Sequence, residues 1–288
     1  MKIAVCFKII ADYDRMSPKD WEWDEHYVVD TRFVRSIFNC FEESALEMAL
    51  KLSRPLEKTA DTAELTALTI DDEKADLFLK HLIAVGYDHA VRICPNKKLA
   101  LRFSPLSISH LISAYMNHNA HQLVIFGMQG GEGDNGQTGF LVAEQLGWPC
   151  IREVTDVIKT ESPDFLKVTS RIDGASLVQI VKLPMVLIIG NSKDSPYLRI
   201  PNLKQKLEAK KKQVTLLSEH DLKLDNKEGP HKVGLNKVGP NKEWFNTDKT
   251  LINLHRQKVN PPCIFLEGQT GRDQAEQLYH QYLKKRLP

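Results

Sequence analysis

The apolar residues of this chain fall into short uninterrupted blocks, separated by stretches in which they recur with a helical period. The blocks Ile3 to Phe7, Leu65 to Ile70, His89 to Cys94, Leu123 to Phe126 and Met185 to Ile189 suit strands buried on both faces of a parallel sheet. The stretches between them predict helices. Asn39-Cys40-Phe41-Glu42 opens the first, with Asn39 as N-cap and Glu42 reaching back to it as in a capping box. It runs through Leu52, with Phe41, Ala45, Met48 and Leu52 on one face. Asp71-Asp72 would cap a second helix through Val85, stopped by Gly86. Ser104-Pro105 opens a third, to about Asn119, and a fourth runs to Leu146 before Gly147 and Pro149.

Strands alternating with helices mean βαβ units and right-handed crossovers. The fold class is therefore α/β: a Rossmann-like, doubly wound, mainly parallel sheet. After Pro149 the rhythm changes. Val154 to Lys159, Leu166 to Ile172 and Leu177 to Lys182 read as antiparallel hairpins added to the sheet, with turns at Ser162-Pro163-Asp164 and Asp173-Gly174. Pro201 to Lys212 reads as a helix ending in lysines, which suit the negative end of its dipole. Residues 12–35, with Trp21, Trp23, Tyr27 and Phe33, read as an insertion or hairpin covering a sheet edge or a partner. From about Lys223 to Pro262 periodicity is lost. The expected division is a nucleotide-binding α/β domain over 1–222 and an extended C-terminal arm over 223–288, with a strand at Cys263 to Leu266 and a helix at Ala275 to Leu287.

Charge narrows the function. Thirty-nine Lys and Arg against 37 Asp and Glu give a net charge of +2, which speaks against nucleic-acid binding. No apolar run approaches the ~20 residues of a membrane span. Met1-Lys2 leads straight into the first strand without a secretory leader, so the expected location is the cytoplasm. Cys6, Cys40, Cys94, Cys150 and Cys263 are widely separated and odd in number, as reduced, mostly structural thiols would be. His110, His118 and His121 lack a carboxylate or thiol spaced to complete a metal site and read as surface histidines.

The segment richest in chemistry is the loop Gly127 to Gly139, between a predicted strand and a predicted helix. Its glycines allow close backbone approach to an anion, and the helix start adds free amides and a positive dipole end. A nucleotide phosphate is the natural guest. Gly131-x-Gly133-x-x-Gly136 with Asp156 beyond it also spells a dinucleotide fingerprint, so an NAD(P)-binding oxidoreductase is one alternative and an ATP-binding regulatory protein another. Against the first, three βα units precede the loop, and Glu132 and Asp134 would crowd a pyrophosphate with negative charge.

Several segments, in order, resemble the beta subunit of electron transfer flavoproteins: Cys6-Phe7-Lys8, Asn39-Cys40-Phe41-Glu42-Glu43-Ser44-Ala45-Leu46-Glu47, Ala84-Val85-Gly86-Tyr87-Asp88, Gln137-Thr138-Gly139, Arg171-Ile172-Asp173-Gly174, and Ser195-Pro196-Tyr197-Leu198-Arg199-Ile200-Pro201-Asn202-Leu203. Cys40 stands where that family commonly has proline, and Ala175 where it has a second glycine. The resemblance implies an electron-carrier subunit rather than a stand-alone enzyme, paired as a heterodimer with an alpha subunit that holds most of the FAD contacts. Electrons would enter from a flavin dehydrogenase and leave to a respiratory or ferredoxin-linked acceptor. This chain would bind AMP or a second FAD, both of which stay open. The implied contacts are Cys6, Asn39, Cys40, Phe41, Glu42, Ile70, Gly127, Gln129, Gly131, Gly133, Asp134, Gly136, Gln137 and Thr138. Arg171 is a candidate charge near the flavin, Ile200 and Lys204 are candidate docking residues, and the arm would wrap the alpha subunit.

Overall fold

The computed structural model describes residues 1–23, 29–54, 62–94, 101, 104–131, 135–190, 197–218, 220–222, 265–284 and 286. The chain divides into two compact units, Met1–Thr247 and Asp248–Pro288. The elements of the first are β1 (Lys2–Cys6), β2 (Ile9–Ala11), β3 (Ser36–Phe38), α1 (Cys40–Ser53), β4 (Glu64–Ile70), α2 (Ala75–Val85), β5 (His89–Cys94), α3 (Pro105–His118), β6 (Leu123–Gly127), α4 (Thr138–Leu146), β7 (Cys150–Lys159), β8 (Phe165–Ile172), β9 (Ala175–Lys182), β10 (Met185–Ile189), α5 (Leu203–Lys211) and β11 (Thr215–Ser218). The second contains α6 (Gly271–Leu278).

The main sheet runs β11-β5-β4-β1-β6-β10-β7-β8-β9. It is parallel from β11 to β7, and β8 and β9 extend it as an antiparallel ribbon. Because side chains alternate along a strand, β1 feeds both faces. Ile3 and Val5 pack with Leu46, Met48 and Leu50 of α1 and Leu79 and Leu82 of α2. Ala4 and Cys6 pack on the other side with Leu111 and Ile112 of α3 and Val142 and Ala143 of α4. The chain steps outward from β1 to β4 and β5, then returns to place β6 on the far side of β1. In doubly wound sheets such a reversal opens a crevice at the carboxyl ends of the strands.

Most expected elements are present, and the differences have local causes. Helix α2 begins three residues beyond Asp72, whose Oδ1 instead accepts from the Lys74 amide at 2.9 Å in the turn before it. Strand β11 was not anticipated; it has four residues and, among the described residues, lies at the sheet edge, paired with β5 alone. Residues 12–35 are framed by the antiparallel pair β2–β3, and their described part holds two 3₁₀ turns, with Tyr13 stacked on Trp21 at 5.5 Å. Tyr27 lies outside the described residues.

Helix α6 starts at Gly271 rather than Ala275. Thr270 Oγ1 accepts from the Asp273 amide at 3.2 Å, and Asp273 Oδ2 accepts from the Thr270 amide at 3.0 Å, which closes a capping box. Gln269-Thr270-Gly271 is thus a helix start. Phe265 and Leu266 do not form the expected strand, and Cys263 lies outside the described residues, as does most of the expected arm.

Candidate functional site

A cavity of about 350 Å³ opens at the carboxyl ends of β1, β4 and β6, where the strand order reverses. Its floor is apolar, formed by Leu68, Ile108, Ile112, Phe126 and Ile188, and its rim carries Lys8, Glu42, Asp71, Gln129, Asn135 and Thr138. Ile108 and Ile112 lie four apart on α3, so one helix face supplies both. Thr69 Oγ1 donates to the Phe7 carbonyl at 2.9 Å and ties the ends of β1 and β4 together beside the opening.

The loop between β6 and α4 closes one side. At Gly127 the strand end abuts the start of α1: a Cβ there would stand 2.8 Å from the Glu42 nitrogen and 2.8 Å from the Phe41 carbonyl carbon. Gly136 has φ of +56°, a left-handed conformation that folds the loop back under the Met128 carbonyl. Asn135 Oδ1 accepts from the Gln137 amide at 3.3 Å. Gln137 at the N-cap of α4 makes no side-chain bond to the first turn, so the first-turn amides beside Thr138 and Gly139 are the anion donors this wall offers.

Asn39 and Glu42 behave differently from the sequence expectation. Asn39 does occupy the N-cap of α1, and its carbonyl accepts from the Glu43 amide at 3.0 Å, but its side chain makes no cap bond. The amide Nδ2 instead donates to the Glu42 carboxylate and to the Gln129 carbonyl, the latter at 2.5 Å. The capping box is therefore not formed, because a loop carbonyl 90 residues away competes for the side chain. Glu42 is 7 % exposed. Burial pushes its carboxyl up to about 7, against the opposing pull of the Asn39 hydrogen bond and the Lys8 charge. Burial also raises the Asp71 carboxyl above its ordinary value, and holds the Cys6 thiol far above the thiolate range, so Cys6 contributes surface rather than a nucleophile.

Of the expected contacts, Cys6, Glu42, Ile70, Gly127, Gln129, Gly136 and Thr138 meet around this one cavity, with Asn39 joined to it through Gln129. Phe41 backs Gly127, Gln137 precedes the α4 wall, and Cys40 is exposed outside the lining. Gly131 faces Ile10, whose Cδ1 would be 3.0 Å from an added Cβ, and does not line the cavity. Gly133 and Asp134 lie outside the described residues. Arg171 is exposed on the β8–β9 ribbon, away from the lining. Lys8 and Asp71, expected only in the first strand segment and as a helix cap, line the cavity as well, and so do Ile108 and Ile112, for which helical spacing was the available signal.

A second surface spans the start of α5. Tyr197, Ile200 and Leu203 are exposed, Ile200 by 84 %, and Lys204 lies beside them. Arg199 within this segment is clamped on Glu47 of α1: Nη2 to Oε1 at 2.6 Å, Nε to Oε2 at 3.0 Å and the amide to Oε2 at 3.2 Å. Asn202 Oδ1 accepts from the Gln205 amide at 2.9 Å and starts α5.

The histidines do not share one environment. His118 is exposed, whereas His121 is buried, its Nδ1 donating to the Asn119 carbonyl at 3.1 Å and its Nε2 accepting from Thr66 Oγ1 at 3.2 Å. The surface expectation thus fails for His121, which a strand hydroxyl and a loop carbonyl satisfy internally. Among the described residues, no three His, Cys, Asp or Glu are grouped to hold a metal ion, and no helix is long and apolar enough to cross a membrane.

A family model described as the electron transfer flavoprotein domain matches residues 27–222. The chain is 28% identical over 289 residues to the Escherichia coli (strain K12) electron transfer flavoprotein subunit YgcR, so named provisionally; the match covers 100% of this chain and 99% of that one. It is 28% identical over 231 residues to the mitochondrial electron transfer flavoprotein subunit beta of Arabidopsis thaliana, covering 79% of this chain and 85% of the plant protein. With the human electron transfer flavoprotein subunit beta the identity is 28% over 229 residues, 78% and 84% of the two chains.

Proposed function

The chain belongs to the electron transfer flavoprotein family, on its beta-subunit branch, and from that membership we propose that it binds AMP in the β1/β4/β6 cavity and pairs with an FAD-bearing alpha subunit to carry electrons. The observation that carries the nucleotide reading is the cavity itself, set at the switch point with the α4 N-terminus and the Gly136 turn on one wall. Its volume of about 350 Å³ is near the lower end of ligand pockets, which supports a mononucleotide rather than a whole FAD. The residues fit that guest: an apolar floor for a flat base, and backbone amides with Thr138 for a phosphate.

FAD on the alpha subunit supplies the redox chemistry when bound. This chain holds its nucleotide, shapes one side of the assembly in the cytoplasm, and presents Ile200 with Lys204 to a flavin dehydrogenase or to the electron acceptor. Exposed apolar residues beside positive charge suit a transient electron-transfer encounter, in which complementary charge speeds association. The NAD(P) alternative loses support, since Gly131 of its fingerprint faces Ile10 and the loop follows β6 rather than the first strand.

Acid extraction of the purified chain, followed by mass identification, should release AMP at close to one per chain; stoichiometric FAD or NAD(P) would overturn this assignment. Residues 223–288 are proposed to wrap the alpha subunit. Truncation after Leu222 should then weaken heterodimer formation at least tenfold by analytical ultracentrifugation, while extractable AMP is retained. An undiminished complex would remove the wrapping role.

A further inference from the structure

We propose that Glu42 is a specificity-determining residue of the nucleotide cavity that acts as a neutral carboxylic acid, donating its O–H to an acceptor atom of the bound nucleotide, so that binding takes up a proton. The inference rests on the nucleotide reading of this cavity. Glu42 lines the opening yet is nearly closed to bulk water. Its neighbours fix its hydrogen bonding. The Gln129 carbonyl can only accept, so the Asn39 group facing it must be Nδ2, and the same Nδ2 donates to Glu42 Oε2. The backbone amide of Glu42 also donates to its carboxylate. Two donors on the protein side thus already hold the acid in place, and the O–H of its protonated form is the one group it can donate toward the cavity.

Among the described residues, the charged groups around it come from two strand ends. Lys8 follows β1 and favours the ionised acid, whereas Asp71 follows β4 and shares the rim. The β6–α4 loop presents backbone and Gln129 to it, and α1 presents Asn39. A nucleotide phosphate entering this small cavity brings negative charge close to Glu42, and like charge favours the proton-bearing form. The acid of the free cavity already titrates near neutrality through burial, so the ligand moves the equilibrium across the working pH range.

The direction follows by linkage. Below neutrality Glu42 is protonated in both states, and its contribution to affinity is flat. Above about pH 7 the free form is ionised, each binding event must bring a proton, and Kd rises by up to roughly tenfold per pH unit. The phosphate of AMP, with a second pKa near 6, holds its charge over that range and does not imitate the effect. Calorimetric titration of the full-length chain with AMP, in buffers of different ionisation enthalpy, should show close to one proton taken up per nucleotide at about pH 8. Glu42→Gln, which keeps the shape and the acceptor for Asn39 without a titrating proton, should show none. It should bind at pH 8 with the affinity the wild type has only at lower pH. Binding by the wild type without proton uptake, or a Glu42→Gln profile that follows the wild type, overturns the role of Glu42 and leaves the nucleotide site standing. A wild-type chain that binds no AMP at any pH overturns both. The wild-type calorimetry alone decides the matter if the variant does not fold.

Discussion

Replacing Gly127 by alanine should destabilise the protein by about 2 kcal/mol, as overpacking a filled interior does, and should strip most of its nucleotide. The new Cβ would stand 2.8 Å from the Glu42 nitrogen and the Phe41 carbonyl carbon, and 3.0 Å from Glu42 Cδ. Two of these three contacts are main chain at the start of a helix, so no side-chain rotation relieves them. Either the end of β6 or the first turn of α1 must move, and α1 is buried on most of its circumference by Ala45, Leu46, Met48, Ala49, Leu50 and Leu52. The displacement therefore falls on the cavity side, where it separates Asn39 from Gln129 and opens the loop. In thermal unfolding the expected loss is roughly 4–8 °C for a domain of this size. Gly271→Ala is the control: no atom lies within 4 Å of its would-be Cβ, and its midpoint should not fall. An alanine at 127 that leaves both midpoint and extractable AMP unchanged would show that the close approach at this junction does not set the site.

That junction also marks where reading the sequence stops being sufficient. Strands buried on both faces are written in their own residues, so His89–Cys94 and Met185–Ile189 were legible to the residue. The β7–β8–β9 ribbon announced itself through turn residues. Strand β11 did not, because Thr215, Leu216 and Ser218 are exposed and only hydrogen bonding to β5 makes them a strand. The cavity was legible as a set of strand ends and one glycine-rich loop, since parallel topology brings such segments to one edge. What escaped were pairings between distant residues. The spacing of Asn39 and Glu42 matches a capping box, and nothing local reveals that Gln129 takes the amide instead. The spacing of Gly131, Gly133 and Gly136 matches a dinucleotide fingerprint, and nothing local reveals that Gly131 backs onto Ile10. Short-range spacing states what a segment can do alone, and the tertiary fold decides which of its partners wins.

The longest-range of these pairings yields the second large effect. Arg199→Met should cost about 2 kcal/mol of stability and slow electron transfer with a flavin dehydrogenase, with AMP content unchanged. Glu47, whose side chain is 8 % exposed, accepts from the Arg199 amide, Nε and Nη2 across 152 residues of sequence. Truncating the guanidinium leaves that carboxylate buried without its cation, a change that costs roughly 3–5 kcal/mol in fully buried pairs. Arg199 itself is 32 % exposed in its side chain, so water can reach the site and the lower figure applies. The charge of Glu47 is felt by neighbouring Tyr87, whose phenol is held well above its ordinary value by burial first and by Glu47 second, while its hydroxyl donates to the Leu46 carbonyl at 3.0 Å. Tyr197 and Ile200 flank the clamp, so its loss frees the exposed segment they belong to, while the cavity at the first turn of α1, more than a turn away from Glu47, keeps its walls. Removing both charges separates the terms: Arg199→Met combined with Glu47→Leu should recover most of the lost stability, because no buried charge then remains, yet should not recover the transfer rate, because the segment stays unanchored. Urea unfolding and stopped-flow flavin reduction read the two effects independently. A double variant no more stable than the single one would refute the buried-charge account, and a normal transfer rate in both would show that Ile200 docks without the clamp.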